Sequence, residues 1–240
     1  MSAARAPRVV ADADALALAA ADAVVAQAAT AIRARGAFRF AVPGGRTPRG
    51  MLASLAATDR ADAPDWTRVT VLLADERALP SGDPERNDWL VRETLLAPLG
   101  GRAPRFVPMR AEDADLERAA QDYASELAVP LDLVVLGVGE DGHVASLFPG
   151  SPLFSDAARL VAVVRDSPKP PPVRLTLAPR ALAEARAVLV LASGSGKADA
   201  VAAALAPGAD PRHVPAALRA DAAWIVDRDA AARLGRGTRP

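Results

Sequence analysis

The sequence predicts an α/β fold: a doubly wound, mostly parallel sheet flanked by helices in a Rossmann-like three-layer α/β/α arrangement, with room for a small subsidiary lobe. Three observations lead there. From residue 38 onward short apolar, β-branched runs alternate with helix-like segments, and the changeovers fall at Gly, Pro, Asp or Asn. Most of the apolar runs are continuous rather than alternating, the pattern of strands buried on both faces. No repeat or low-complexity linker divides the 240 residues, so a single domain over 1–233 is expected, with a frayed tail at 234–240.

The first element is a helix within Val9–Ala31. Leu16, Ala20, Val24, Gln27 and Ala31 recur at helical spacing, and Gly36 closes it. Asp12, Asp14 and Asp22 interrupt its apolar character, which argues against a membrane span. Strands follow at Phe38–Val42, Val69–Ala74, Arg105–Val107, Leu131–Gly137, Leu160–Val164, Val173–Thr176, Val188–Ala192 and Ala223–Val226. Helices are expected near 48–57, 86–96, 112–127, 179–184, 197–205 and 228–233. In such a fold, ligands sit outside the carboxyl ends of the strands, so the loops after strands carry the chemistry.

Composition narrows that chemistry. The absence of cysteine removes disulfides, thiolate nucleophiles, iron–sulfur clusters and sulfur-ligated zinc, and fits a cytoplasmic protein. Two histidines cannot build a three-His metal centre, and no metal is expected. A formal net charge of zero gives no broad footprint for nucleic acid or an anionic membrane, so neither is an expected partner, while a local basic pocket for a small anion stays open.

Five loops stand out. Pro43-Gly44-Gly45-Arg46-Thr47-Pro48 joins a strand to a helix, where paired glycines, a capping Thr47 and the helix dipole make an anion cradle; an ordinary strand-to-helix turn uses the same residues. Asp75-Glu76-Arg77 ends a buried strand ahead of a polar loop to Asn87, and Arg77 there could reach an oxyanion or simply pair locally. Gly137-Val138-Gly139-Glu140-Asp141-Gly142 matches a dinucleotide fingerprint, but Pro149 arrives too soon for a crossover helix. What remains is Asp141-Gly142-His143, a carboxylate beside an imidazole that could act as a base or cap the turn. The proline-stiffened loop Ser167–Pro172, continued to Thr176, presents Lys169 and Arg174. Ser193-Gly194-Ser195-Gly196-Lys197 looks like part of a P-loop but has Leu191 in place of the first glycine and Ala198 in place of the magnesium-binding hydroxyl. It keeps a phosphate-friendly turn with Lys197 at a helix start. No G-x-S-x-G elbow occurs, and His213 has no strand-end carboxylate beside it, marking it as structural.

Taken in order, these segments resemble the 6-phosphogluconolactonase family. The resemblance rests on Gly44–Pro48, Asp75–Arg77 with Asn87, the run Leu136–Gly150, Ser167–Thr176, Gly196-Lys197 and the closing Trp224-Ile225-Val226-Asp227. Arg46 departs from the serine that many relatives carry. Glucosamine-6-phosphate deaminases share several of these turns but continue D-G-H into a run ending Asn-Glu-Pro, whereas this chain has Ser146-Leu147-Phe148-Pro149. The resemblance implies hydrolysis of a phosphorylated sugar lactone without a cofactor. It implies His143 as general base oriented by Asp141 or another carboxylate, Arg77 as partner of the oxyanion or the product carboxylate, and Asp75 at a position that is acid/base in the deaminases and here orients Arg77 or a sugar hydroxyl. The phosphate would be held by Gly44, Gly45, Arg46 and Thr47 with Lys169, Arg174 and Lys197. A monomer is expected, with a dimer left open. An amino-sugar-phosphate deaminase and a non-catalytic sugar-phosphate-binding regulator are the competing functions.

Overall fold

In this computed structural model residues 6–57 and 60–235 are described. The chain runs β1 (Arg8–Val10), α1 (Ala13–Arg35), β2 (Phe38–Val42), α2 (Arg46–Ala56), β3 (Val69–Leu73), β4 (Asp75–Arg77) and α3 (Asn87–Val91). A π turn (Arg92–Leu96) leads into α4 (Ala97–Leu99), then β5 (Arg105–Val107), α5 (Leu116–Ser125), β6 (Leu133–Gly137), β7 (Val161–Val164) and β8 (Arg174–Leu177). The chain ends with α6 (Pro179–Glu184), β9 (Val188–Ala192), α7 (Ala198–Ala204) and β10 (Ala223–Asp227).

Seven strands pair in parallel in the order β1-β10-β9-β6-β2-β3-β5. From β2 the chain builds outward to β3 and β5, then returns to the other side of β2 with β6 and builds outward to β9 and β10. That reversal opens a crevice at the carboxyl ends of β2 and β6, as expected of a doubly wound sheet. The apolar strands predicted from the sequence are its interior: every residue of β9 is buried, as are four of the five in β6.

The helix α1 is capped by Asp12, which accepts from the Ala15 N–H at 2.9 Å, and is closed by Gly36 at φ 79°. By length and composition it could cross a membrane, but here Leu16, Ala20, Val24 and Ala28 are buried where it packs on α2, β2 and β10. Small residues permit close approach to α2: a Cβ on Gly50 would come within 3.0 Å of the Ala17 Cβ.

A second sheet, antiparallel and ordered β4-β8-β7, forms the subsidiary part. It has no core of its own, since Val161, Leu175 and Leu177 join the same apolar cluster as β2, β3 and β6. One residue links the sheets. Ala74 donates its N–H to Val42 in the parallel sheet, and its carbonyl accepts from Leu177 in the antiparallel one, both at 2.8 Å.

Several local expectations are corrected. Asp75–Arg77, expected as a loop, is strand β4, because β8 supplies a backbone partner the sequence does not reveal. Thr47 does not cap α2; Gly45, at φ 104°, is the N-cap residue, and Thr47 lies in the first turn. The helix expected at 112–127 begins at Leu116, where Asp115 accepts from the Arg118 N–H, and α3 gives way to a π turn. Residues 228–233 form turns rather than a helix, the first held by Asp227 accepting from the Ala230 N–H at 2.8 Å. The short β1 was not expected, three residues being too few for a periodic signal. Of the tail expected to fray, 236–240 lie outside the described residues.

Beyond Val107, the last β5 partner, the backbone of Leu73 is completed by a side chain. The Tyr123 hydroxyl accepts from the Leu73 N–H at 2.7 Å and donates to its carbonyl at 2.9 Å, and burial pushes the phenol pKa upward. Tyr123→Phe leaves both groups buried without a partner, so urea unfolding should show a loss of about 1–3 kcal/mol.

Candidate active site

Around the β2/β6 crevice lies a cleft of about 540 Å³ lined by the loops after β2, β6 and β9 and by residues of β4 and β8. The antiparallel register explains what the small sheet contributes. Asp75 faces Thr176 and Arg77 faces Arg174, so one face of the β4–β8 ladder presents two directly opposed arginines beside a carboxylate. Glu76, between them, points the other way and is fully buried.

Asp75 is 5% exposed and held on two sides. Its Oδ1 accepts from Asn87 Nδ2 at 3.1 Å and its Oδ2 from Ser146 Oγ at 2.8 Å, while Arg174 Nη1 lies 3.9 Å from Oδ2. Ser146 reaches it from a tight turn in which Val144 and Leu147 pair across Ala145, whose φ of 48° is a conformation that costs a non-glycine residue about 1–3 kcal/mol. The Ser146 N–H also donates to Thr176 Oγ1 at 3.1 Å, fastening this turn to β8.

The imidazole follows the same glycine-rich loop. His143 Nδ1 lies 2.5 Å from Asp141 Oδ1, and the ring packs on Phe148 with centroids 4.6 Å apart. Burial lowers the His143 pKa, more than Asp141 raises it, so the ring is neutral near pH 7. Burial would raise Asp141, but the His143 hydrogen bond and charge hold it below the usual carboxylate range. An ionised carboxylate only accepts, so Nδ1 carries the hydrogen and Nε2 keeps its lone pair. The glycine at 139 is required by closeness: a Cβ there would land on the His143 ring nitrogen and the Asp141 carboxylate.

Gly44, Gly45, Arg46 and Thr47 also line the cleft, with Lys197, whose pKa burial lowers, against the pull of Glu140. A Cβ on Gly44 would collide with Asn87 Oδ1, so the cradle and the start of α3 are in direct contact. Asp227 anchors the β9 loop by accepting from Ser193 Oγ at 2.5 Å and the Gly194 N–H at 2.9 Å.

Thus the structure brings His143, Asp75, Arg77, Arg174, Lys197 and Gly44–Thr47 to one cleft, with Asp141 behind the imidazole. Lys169 is not among the lining residues; its Nζ lies 3.9 Å from Asp141 Oδ1 and the side chain is half-exposed. Arg174 spends most of its guanidinium on the proline loop, donating from Nε to Pro171 and from Nη2 to Lys169 and Pro170 carbonyls, which leaves Nη1 for the cleft. Arg77 Nη1 donates to the Glu85 carbonyl. Asn87, Ser146 and Asp227 are the residues that sequence reasoning did not place in the site. Each stood inside a matched motif, which was the available signal, but their partners lie 12, 71 and 33–34 positions away. Among the described residues, no group of three or more His, Cys, Asp or Glu is placed to hold a metal ion.

Residues 11–225 match the family described as glucosamine-6-phosphate isomerases/6-phosphogluconolactonase. The chain is 41% identical to a 6-phosphogluconolactonase of Streptomyces coelicolor, over 95% of this chain and 94% of the relative. It is 40% identical to that of Mycobacterium tuberculosis, over 93% and 96%. The solved structure of 6-phosphogluconolactonase from Trypanosoma brucei superposes with a TM-score of 0.83 at 27% identity, covering 96% of this chain and 99% of that one. A monomeric glucosamine-6-phosphate deaminase shares the fold, with a TM-score of 0.78 at 21% identity. The chain therefore belongs to the glucosamine-6-phosphate isomerase/6-phosphogluconolactonase family.

Proposed function

We propose that the chain hydrolyses 6-phospho-D-glucono-1,5-lactone to 6-phospho-D-gluconate, the lactonase step of the oxidative pentose phosphate pathway. The observation that carries this is a neutral imidazole, held by a carboxylate at Nδ1 and free at Nε2, in a cleft otherwise rich in cations and backbone N–H groups. Water attacks the lactone carbonyl carbon while His143 Nε2 takes its proton. Arg77 stabilises the oxyanion of the tetrahedral intermediate. Collapse breaks the ring C–O bond, the departing ring oxygen takes the proton from His143, and the carboxylic acid so formed loses its own proton to solvent, leaving the product carboxylate beside the arginines. The Gly44–Thr47 backbone and Lys197 hold the phosphate, which fixes the carbonyl against the base. Arg46 extends that positive wall, while Arg174 adds Nη1 and clamps the loop that brings Lys169 to Asp141. Asp75 orients Arg174 and a sugar hydroxyl. The cysteine-free sequence supports a cytoplasmic setting.

In a dehydrogenase-coupled assay corrected for spontaneous hydrolysis, His143→Ala should lose about 10²–10⁴-fold in kcat/KM. Turnover at the wild-type rate would remove the base assignment. Because the base works as neutral imidazole with a pKa below the ordinary 6.5, activity should hold through neutral pH and fall only on its acid side. Asp141→Asn removes a charge that raises the imidazole pKa, so the acid limb of kcat/KM should move to lower pH as the plateau drops. Gly44→Ala forces the cradle away from Asn87 and should raise KM for the phosphorylated lactone more than it lowers kcat, as steady-state kinetics would show.

A further inference from the structure

The mechanism gives no task to Glu76, although its two chain neighbours both line the cleft. Strand alternation sends its carboxylate to the far face of β4, opposite Leu175, where it is wholly out of water. A charge in that position carries a heavy desolvation cost, so its partners define what it does. Oε1 accepts from the Arg77 N–H at 2.7 Å and from the Asn87 N–H at 2.8 Å. Oε2 accepts from the Asp88 N–H at 2.8 Å and lies 3.6 Å from Arg86 Nε. Burial outweighs the pull of these N–H donors and Arg86 and leaves the carboxyl pushed up to about 7.

Asn87 and Asp88 open α3, whose N-cap residue, Arg86, makes no capping bond. The Arg86 side chain is buried and engaged with Asp88, Glu112 and the carbonyls of Leu79 and Met109. The cap arrives instead from another element. A serine or aspartate at residue 86 would satisfy the helix start equally well but would leave it unattached to β4. With Glu76 as the cap, one carboxylate grips the backbone of Arg77 and the first turn of the helix whose Asn87 side chain holds Asp75.

We infer that Glu76 is a positioning residue for the hydrolysis, fixing Arg77 directly and Asp75 through Asn87 so that both face the reacting centre. This rests on the reading that Arg77 stabilises the oxyanion. Glu76 makes no bond to the Gly44–Thr47 cradle and reaches it only through Asn87, so its loss should fall on kcat far more than on KM.

The test is a double-mutant cycle on the full chain, with wild type, Glu76→Gln, Arg77→Ala and the double variant assayed for lactone hydrolysis, and with folding followed by circular dichroism and thermal melting. Glu76→Gln should lower kcat per folded molecule about 10- to 100-fold, the scale of roughly an ångström of misplacement, with KM within about threefold. In the Arg77→Ala background the same change should cost less than about threefold further, because the two act as one unit. Glu76→Asp, which keeps the carboxylate, should recover part of the lost kcat, and it replaces Glu76→Gln in the cycle if the amide does not fold. Wild-type kcat in the folded Glu76 variant, or an equal loss with and without Arg77, overturns the inference. Wild-type kcat in Arg77→Ala alone overturns the oxyanion reading beneath it, and the inference falls with that reading.

Discussion

The Asp75 carboxylate is where three separately built parts of the molecule meet. Asn87 reaches it from the start of α3, Ser146 from the loop after β6, and Arg174 from across the antiparallel sheet. Those parts lie far apart in the chain, so a single buried side chain sets the relative positions of the cradle wall, the base loop and the arginine pair. The positive φ of Ala145 is understandable in these terms, because the turn must fold Ser146 inward to reach that carboxylate. Buried polar junctions of this kind are tolerated when each polar atom finds a partner, which Asp75 achieves with one neutral donor on each oxygen and a guanidinium nearby.

The parallel sheet was legible because its strands are bounded apolar runs, and burial on both faces leaves that mark in sequence. The Gly44–Thr47 cradle and the Asp141-Gly142-His143 turn were legible for a related reason, since backbone proximity and local hydrogen bonds act over a few residues. Strand β4 was not. Its Asp-Glu-Arg composition reads as a solvated turn, and only pairing with β8, about a hundred positions on, makes it a strand. The same long-range pairing sorts its side chains, two toward the cleft and Glu76 into the core. The helix expected near the C-terminus did not form: residues 228–233 have helical composition, and Asp227 accepts from the Ala230 N–H as a helix cap does, yet the chain continues as turns.

Arg174 shows where residue type and residue duty separate. A cation on a rigid loop suggested anion capture, and one amino group does face the cleft. Yet its other hydrogen bonds run to three carbonyls of the loop itself, so it is as much a fastener as a ligand. Lys169 is carried by that fastened loop to Asp141 rather than to the cleft wall, and there it helps keep the imidazole neutral.

The opposed Arg77 and Arg174 have one more consequence. Two like charges facing each other across a ladder weaken the sheet that holds them, and burial lowers the Arg174 pKa with Arg77 adding to it against the pull of Asp75. Asp75 answers this pair only in part, and any phosphorylated or carboxylated ligand brings a further counter-charge to it. Ligand affinity and conformational stability draw on the same pair of charges, so an anion that binds them also firms the small sheet.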